Sequence, residues 1–142
     1  MKRALVKEWM TSPCVTAPAD MILPEAHKVM KDKRIRRLPI VDAKGQLLGI
    51  VTRGDIRGAE PSEAISLSIF EIHYLLSRLT LERIMTKDPV IVNSDTTIGQ
   101  AAQIMLQKKV AGLPVVDDGR VIGIITESDI FRLVVKTWEK EG

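Results

Sequence analysis

Two stretches of this 142-residue chain place a threonine and an aspartate three residues apart at the end of an apolar run. One is GIVTRGDI, residues 49–56, and the other is GIITESDI, residues 123–130. An apolar run that turns polar at Thr reads as a strand entering a helix. Two chemistries suit that corner. Thr52 and Thr126 can cap the helix, each hydroxyl bonding a free N–H of the first turn, with Asp55 and Asp129 at the positive end of the dipole. The same geometry fits a ribose-phosphate. Unpaired N–H groups and a Thr hydroxyl suit an anion, and a carboxylate, which only accepts, suits two sugar hydroxyls. Gly49 and Gly123 would then permit close backbone approach. The spacing alone leaves both readings open.

The phrase recurs because the chain is a duplication. At a shift of 75 residues Met10-Thr11 falls on Met85-Thr86, Asp20 on Asp95, Ala26 on Ala101 and Met30 on Met105. LPIVD, residues 38–42, falls on LPVVD, residues 113–117. One extra residue near Lys44 reduces the shift to 74, and Gly49, Ile50, Thr52, Asp55 and Ile56 then meet Gly123, Ile124, Thr126, Asp129 and Ile130. One register held over so many positions marks a repeated half-domain.

The elements that must position the corners follow from pattern. A short helical turn heads each copy, at residues 5–10 and 81–85. CVTA, residues 14–17, and VIV, residues 90–92, read as short strands. An amphipathic helix comes next. In the second copy Thr97 and Gln100 form a capping box, whereas Ile22 and Glu25 stand there in the first, with Pro24 close by, so that helix begins less regularly. The Leu-Pro runs read as buried strands, followed by the turns AKG and DDG and a second pair of strands. A final helix follows each Thr-x-x-Asp. The order is strand, helix, strand, strand, helix, a mixed α+β pattern. Between the copies Gly58 and Pro61 are expected to break the helix after Asp55. Ser68 and Glu71 then open a packed helix whose stripe is Ile69, Ile72, Leu76 and Leu79, widened by Phe70 and Leu75, and which either covers the repeats or meets another subunit. His73 within it reads as packing or surface.

Composition excludes several classes. Hydrophobic residues at 45% and charged ones at 27% belong to an ordinary soluble globular protein. Apolar runs fall short of the roughly 18 residues a membrane span needs. Glu8 interrupts the basic N-terminus, so no signal peptide is expected. The single Cys14 cannot form an internal disulfide, no metal-ligand cluster is expected, and the compartment indicated is the cytoplasm. An enzyme is not indicated, since no paired carboxylates, phosphate-cradling glycine loop or activated nucleophile is evident. A net charge of +3 and the basic run at residues 31–37 permit nucleic-acid binding, yet aromatics at 4% offer little for base stacking. A structural or partner-docking platform, with both motifs as plain caps, is the other alternative.

Two copies of LP(I/V)VD followed by GIxTxxDI, each headed by Met-Thr, resemble a tandem CBS-domain (cystathionine beta-synthase domain) pair, or Bateman module. The resemblance covers almost the whole chain. Residues 61–86 resemble, more narrowly, the linker of the acetoin-utilisation-like CBS-pair group, some of whose members carry a further C-terminal domain that is not expected here. The resemblance implies an α+β fold of two repeats packed with pseudo-two-fold symmetry: residues 1–58, a helical connector at 59–80, and residues 81–142. It implies a regulatory module without catalysis that binds AMP, ADP, ATP or S-adenosylmethionine, forms a flat homodimer through its apolar helices, and reports to a protein partner. Carried over by motif, Asp55 and Asp129 hold ribose hydroxyls, and Thr52 and Thr126 meet phosphate. The base lies against Pro13 and Val15 or Pro89 and Val90, and against Ile35, Leu38 and Pro39 or Val110, Gly112, Leu113 and Pro114.

The copies differ around the motif. Arg34, Arg36, Arg37 and Arg53 surround the first, and a guanidinium can grip phosphate bidentately, which favours a ligand with more than one phosphate. The second has Lys109 but Ala111, Gly112 and Glu127, and Glu127 would repel a phosphate unless it points away.

Overall fold

The computed structural model describes residues 3–60 and 68–141. In chain order the elements are α1 (Val6–Trp9), β1 (Ala17–Pro18), α2 (Leu23–Lys33), β2 (Arg37–Val41), β3 (Leu47–Thr52), α3 (Arg53–Ala59), α4 (Ile69–Arg78), α5 (Leu81–Ile84), β4 (Thr86–Lys87), α6 (Ile98–Lys108), β5 (Gly112–Asp117), β6 (Arg120–Thr126) and α7 (Glu127–Glu141). The fold is α+β and carries the duplicated order that the sequence shows.

The chain forms two compact units, and they do not divide where the sequence repeats divide. One comprises Val15–Pro89; the other joins Met1–Cys14 to Val90–Gly142. Each repeat's Met-Thr head therefore completes the sheet of the other repeat. In the Val15–Pro89 unit the sheet order is β1-β2-β3-β4, with β1 parallel to β2 and the remaining pairs antiparallel. In the other unit β5 and β6 form the hairpin. Val92 bridges Val115 in parallel and Thr11 bridges Ile124 antiparallel, as single-residue counterparts of β1 and β4.

The two glycines explain why the heads fit. A Cβ on Gly123 would lie 2.7 Å from Met10 Sδ and 2.8 Å from the Thr11 carbonyl oxygen. A Cβ on Gly49 would meet Met85 Sδ and the Thr86 carbonyl oxygen, each at 2.7 Å. The close backbone approach expected at these positions is thus made by the protein's own Met-Thr segment. Around each sheet a separate apolar core closes. Val6, Ile98, Ala101, Leu113, Val115 and Ile125 anchor one, and Leu23, Ala26, Leu38, Ile40, Val51, Ile56 and Leu81 the other. Burial of the Val, Leu and Ile side chains among them contributes about 1.5–3 kcal/mol each. Val6 and Leu81, both fully buried, come from the exchanged heads.

Local chemistry sets the element ends. Thr97 accepts from the Gln100 N–H at 3.1 Å while the Thr97 N–H donates to Gln100 Oε1 at 3.0 Å, the expected capping box. The N-cap of α2 is Ile22, which has no side-chain cap, and a proline occupies the first turn. Asp118 and Gly119, with φ of 52° and 80°, form the two-residue turn between β5 and β6, a type I′ geometry. The corresponding first-copy turn is longer. There Asp42 Oδ1 accepts from the Lys44 and Gln46 N–H groups, and Gly45 takes φ 81°.

Three expectations need correction. The strands read at residues 14–17 and 90–92 shrink to Ala17–Pro18 and the lone bridge at Val92, because their partner strands supply only short parallel pairing. Gly58 does not break α3, which runs through it to Ala59; Pro61 lies outside the described residues. Connector helix α4 begins as expected, Ser68 accepting from the Glu71 N–H at 3.2 Å, but no residue of it is buried. Leu76 and Leu79 pack on the core, whereas Ile69, Phe70 and Leu75 face outward.

Gly123→Ala and Gly49→Ala are expected to cost about 1–3 kcal/mol each in urea denaturation, because a backbone carbonyl blocks the new methyl. Gly58→Ala, with nothing within 4 Å, is expected to stabilise by up to about 1 kcal/mol. A second expectation concerns acid. The Ser94 hydroxyl and N–H, the latter at 3.1 Å, hold the Asp117 carboxyl below the ordinary carboxylate range. A depressed folded-state pKa makes this contribution present above the ordinary range and lost as pH falls through the lowered value. Asp117→Asn should therefore flatten the acid limb of the stability curve, read as melting temperature against pH.

Candidate functional site

In the Val15–Pro89 unit the first corner is built where β3 meets α3. Thr52 is the last residue of the strand and the N-cap of the helix. Its hydroxyl oxygen accepts from the Asp55 N–H at 3.1 Å, and Asp55 Oδ2 accepts from the Thr52 N–H at 2.8 Å. The cap is reciprocal, yet it consumes little. The Thr52 hydroxyl keeps its own hydrogen for donation. The bonds of Asp55 to described residues fall on Oδ2, which leaves Oδ1 for another donor. Arg37 pairs with Thr52 across the strands, and the Arg53 N–H donates to the Arg36 carbonyl at 2.8 Å. These contacts bring Arg36, Arg37 and Arg53 to the corner with Thr52 and Asp55. Arg34 stands at the left-handed end of α2, with φ 55°.

The second corner, in the other unit, has the same frame. Gly112 pairs with Thr126, and the Glu127 N–H donates to the Ala111 carbonyl at 3.0 Å, matching the bond from Arg53 to Arg36. Its chemistry differs. Asp129 is 3% exposed, the one buried charged side chain among the described residues. Its Oδ2 accepts from the Thr126 N–H at 2.9 Å and from the Thr126 hydroxyl at 3.2 Å. Its Oδ1 accepts from Arg132 Nη1 at 2.6 Å. The Thr126 hydroxyl therefore donates to the carboxylate, where the sequence had it bonding a first-turn N–H. In this arrangement that hydrogen is not offered to a phosphate. A buried carboxylate needs such partners, because leaving it unpaired is costly.

The residues assigned to the base divide by burial. Leu38 and Leu113 are core, at 0% and 1% exposure, and Pro39 and Pro114 are fully buried beside them. Their side chains build the strands; the outward surface there belongs to Ile35 and Arg36, and to Val110 and Ala111, each more accessible than the strand that follows. Val15 packs against the core of its unit, and Val90 is 36% exposed. Pro13 is exposed and Pro89 half-buried. Cys14 lies between Pro13 and Val15, and burial pushes its thiol up. Arg132 escaped the sequence reading. The signal was present: an arginine three residues after an aspartate on one helix is a side-chain neighbour. Among the described residues no group of three or more His, Cys, Asp or Glu side chains could hold a metal ion, and no helix is long and apolar enough to cross a membrane.

The family model of the CBS domain matches residues 6–62 and 81–136. A CBS domain-containing protein of Dictyostelium discoideum is 35% identical over 138 residues, 96% of this chain and 95% of its own length. The L-aspartate semialdehyde sulfurtransferase of Methanocaldococcus jannaschii is 35% identical over 130 residues, 91% of this chain, and there this chain spans only 23% of the relative's length. Among solved structures, the CBS domain pair of protein MJ0100 in complex with 5′-methylthioadenosine and S-adenosyl-L-methionine superposes with a TM-score of 0.78 at 34% identity, covering 94% of this chain and 98% of that one. An acetoin utilization protein from Vibrio cholerae gives 0.79 at 30% identity, covering 96% and 94%. CBSX2 of Arabidopsis thaliana in complex with AMP gives 0.79 at 26% identity, covering 94% and 98%. Two family matches over most of the length, on a fold that CBS pairs share, place this chain in the CBS domain family as a tandem pair.

Proposed function

We propose that this chain is a cytoplasmic regulatory module that binds an adenosine-containing ligand at its Thr-x-x-Asp corners and carries no catalytic activity of its own. The observation that supports this most is the first corner, where a hydroxyl with a free hydrogen and a half-used carboxylate stand beside the backbone that carries Arg36, Arg37 and Arg53. A carboxylate oxygen suits ribose hydroxyls, and guanidinium groups suit phosphate. The likeness to pairs in complex with AMP, S-adenosylmethionine and 5′-methylthioadenosine supports the same ligand class. Candidate ligands are AMP, ADP, ATP and S-adenosylmethionine; the arginines of the first corner favour the more highly phosphorylated of them.

The assembly we propose is a homodimer. Phe131, Val134, Val135 and Trp138 lie on one side of α7, at 45–72% exposure, and Ile69, Phe70, Tyr74 and Leu75 of α4 are likewise exposed. Apolar stripes of this extent on a soluble chain call for a partner surface, and a second copy supplies a matching one. A second reading, a docking platform without nucleotide, is favoured by the same stripes together with the reciprocal cap of Thr52 and Asp55, which satisfies the corner without any ligand.

Calorimetric titration of the nucleotide-stripped protein with the four candidates is expected to give micromolar binding. Asp55→Ala should weaken it by roughly tenfold or more, the scale of losing charge-assisted hydrogen bonds. A folded protein that binds none of the four leaves the platform reading. For the assembly, light scattering should give twice the chain mass, and the double substitution Phe131→Glu with Trp138→Glu should return it to the monomer. A double mutant that stays dimeric would remove α7 from the interface.

A further inference from the structure

The two corners share a backbone frame and differ in one side chain that closes on the aspartate. Arg132, one turn beyond Asp129, donates to Oδ1 at 2.6 Å, while Thr126 holds Oδ2 through both its N–H and its hydroxyl. Every oxygen of that carboxylate is thereby engaged, and the residue is 3% exposed. At the repeat shift of 74, the position of Arg132 in the first copy is Gly58, which has no side chain to offer. Asp55 is accordingly half-buried, with Oδ1 left over. The Arg132 side chain itself is 66% exposed, so little packing holds it against the carboxylate.

We infer that Arg132 is a specificity-determining residue that occupies, in the second corner, the carboxylate a ribose needs, so that the first corner takes ligand and the second does so only when Arg132 is displaced. This rests on the proposed function, since it assumes that the aspartates are the ribose acceptors. The physical reason is competition for one acceptor. A ribose hydroxyl is a neutral donor, whereas a guanidinium bond to a carboxylate is charge-assisted and about twice as strong. A desolvated position raises that difference, because water does not screen the pair from the buried side. The ribose must also surrender its own hydration to enter. Arg132 reaches the same oxygen from the same helix at no cost in translational freedom. Glu127, beside Thr126 where the first copy has Arg53, adds repulsion toward any ligand phosphate. Together these make the duplicated site a one-ligand site at modest ligand concentrations.

The test is calorimetric titration with AMP, and separately with 5′-methylthioadenosine, of the full chain as wild type, Asp55→Ala, Arg132→Ala, Arg132→Gln and Asp55→Ala with Arg132→Ala. The wild type is expected to bind one AMP per chain and Arg132→Ala two. The double variant is expected to bind about tenfold more tightly than Asp55→Ala alone, the scale of one charge-assisted bond released. Arg132→Gln keeps a hydrogen-bond donor for the buried carboxylate while removing the charge, so it reports even if Arg132→Ala is too unstable to fold, and it should fall between wild type and Arg132→Ala. Two equal sites in the wild type would overturn the inference and leave the proposed function standing. So would folded Arg132 variants that titrate like wild type, or that bind more weakly. A folded wild type that binds neither probe, and none of ADP, ATP and S-adenosylmethionine either, overturns the proposed function instead. The inference then rests on the Arg132 variants alone: a site gained supports it, and none gained overturns it.

Discussion

Everything in this protein depends on a backbone contact that a methyl group would forbid. The Thr11 carbonyl lies against Gly123, and the Thr86 carbonyl against Gly49, so closely that a Cβ at either glycine would sit within 2.8 Å of oxygen. Through that contact each Met-Thr head joins a sheet that belongs, in sequence, to the other repeat. The heads bring Val6 and Leu81 into the two cores. They also leave the chain unable to complete either unit from one repeat alone, because Val15–Pro89 closes only with the head at residues 81–89, and the other unit only with residues 1–14. Each unit of the duplication therefore takes its head from the other repeat. A single half-domain of this sequence lacks part of its own sheet.

What the sequence revealed, and what it hid, follows the range of the interactions. The capping box of Thr97 and Gln100 was legible because both partners lie within one turn. The buried Leu-Pro strands were legible because a run of β-branched residues between turn signals has few other uses. The exchange of heads was not. A bridge such as Thr11 to Ile124 joins residues more than a hundred apart, and neither a single-residue bridge nor a two-residue strand such as β4 holds any periodicity. Gly49 and Gly123 did announce a close approach, and only its source was misread. For α4 the pattern was sound, and the core takes only part of the face it marks. A wide apolar stripe records that a face needs covering, but the local sequence does not say that Leu76 finds the core while Phe70, at 81% exposure, stays outside.

The corners show the same limit at the scale of single hydrogen bonds. Thr-x-x-Asp reads identically in both copies, and the strand-to-helix frame is the same in both, down to the bond from the residue after Thr to the residue just ahead of the paired strand. The hydroxyl nevertheless plays opposite roles, accepting from the Asp55 N–H in one copy and donating to the Asp129 carboxylate in the other. A hydroxyl rotates to whichever partner is stronger. In the second copy the carboxylate is buried, and a buried charge needs the hydroxyl as a partner. Motif identity fixes the frame; the neighbours one turn away fix the chemistry.

That division of labour suits the regulatory role we propose. A ligand shifts an equilibrium only by the difference in its affinity for two states. A corner that is merely filled gives no such difference, since filling it breaks nothing. On the inference drawn above, a ribose that takes the Asp129 carboxylate displaces Arg132 and so releases a cation from the first turns of α7. The same helix carries the exposed stripe of Phe131, Val134, Val135 and Trp138. Arg132 lies between Phe131 and Val134, and any partner seated on that stripe meets a different surface charge when the arginine is held by Asp129 than when it is free. Coupling of this kind is reciprocal, because a partner that prefers the free arginine must also ease the ligand's entry. It needs only an either-or bond placed on a helix that has two faces to serve.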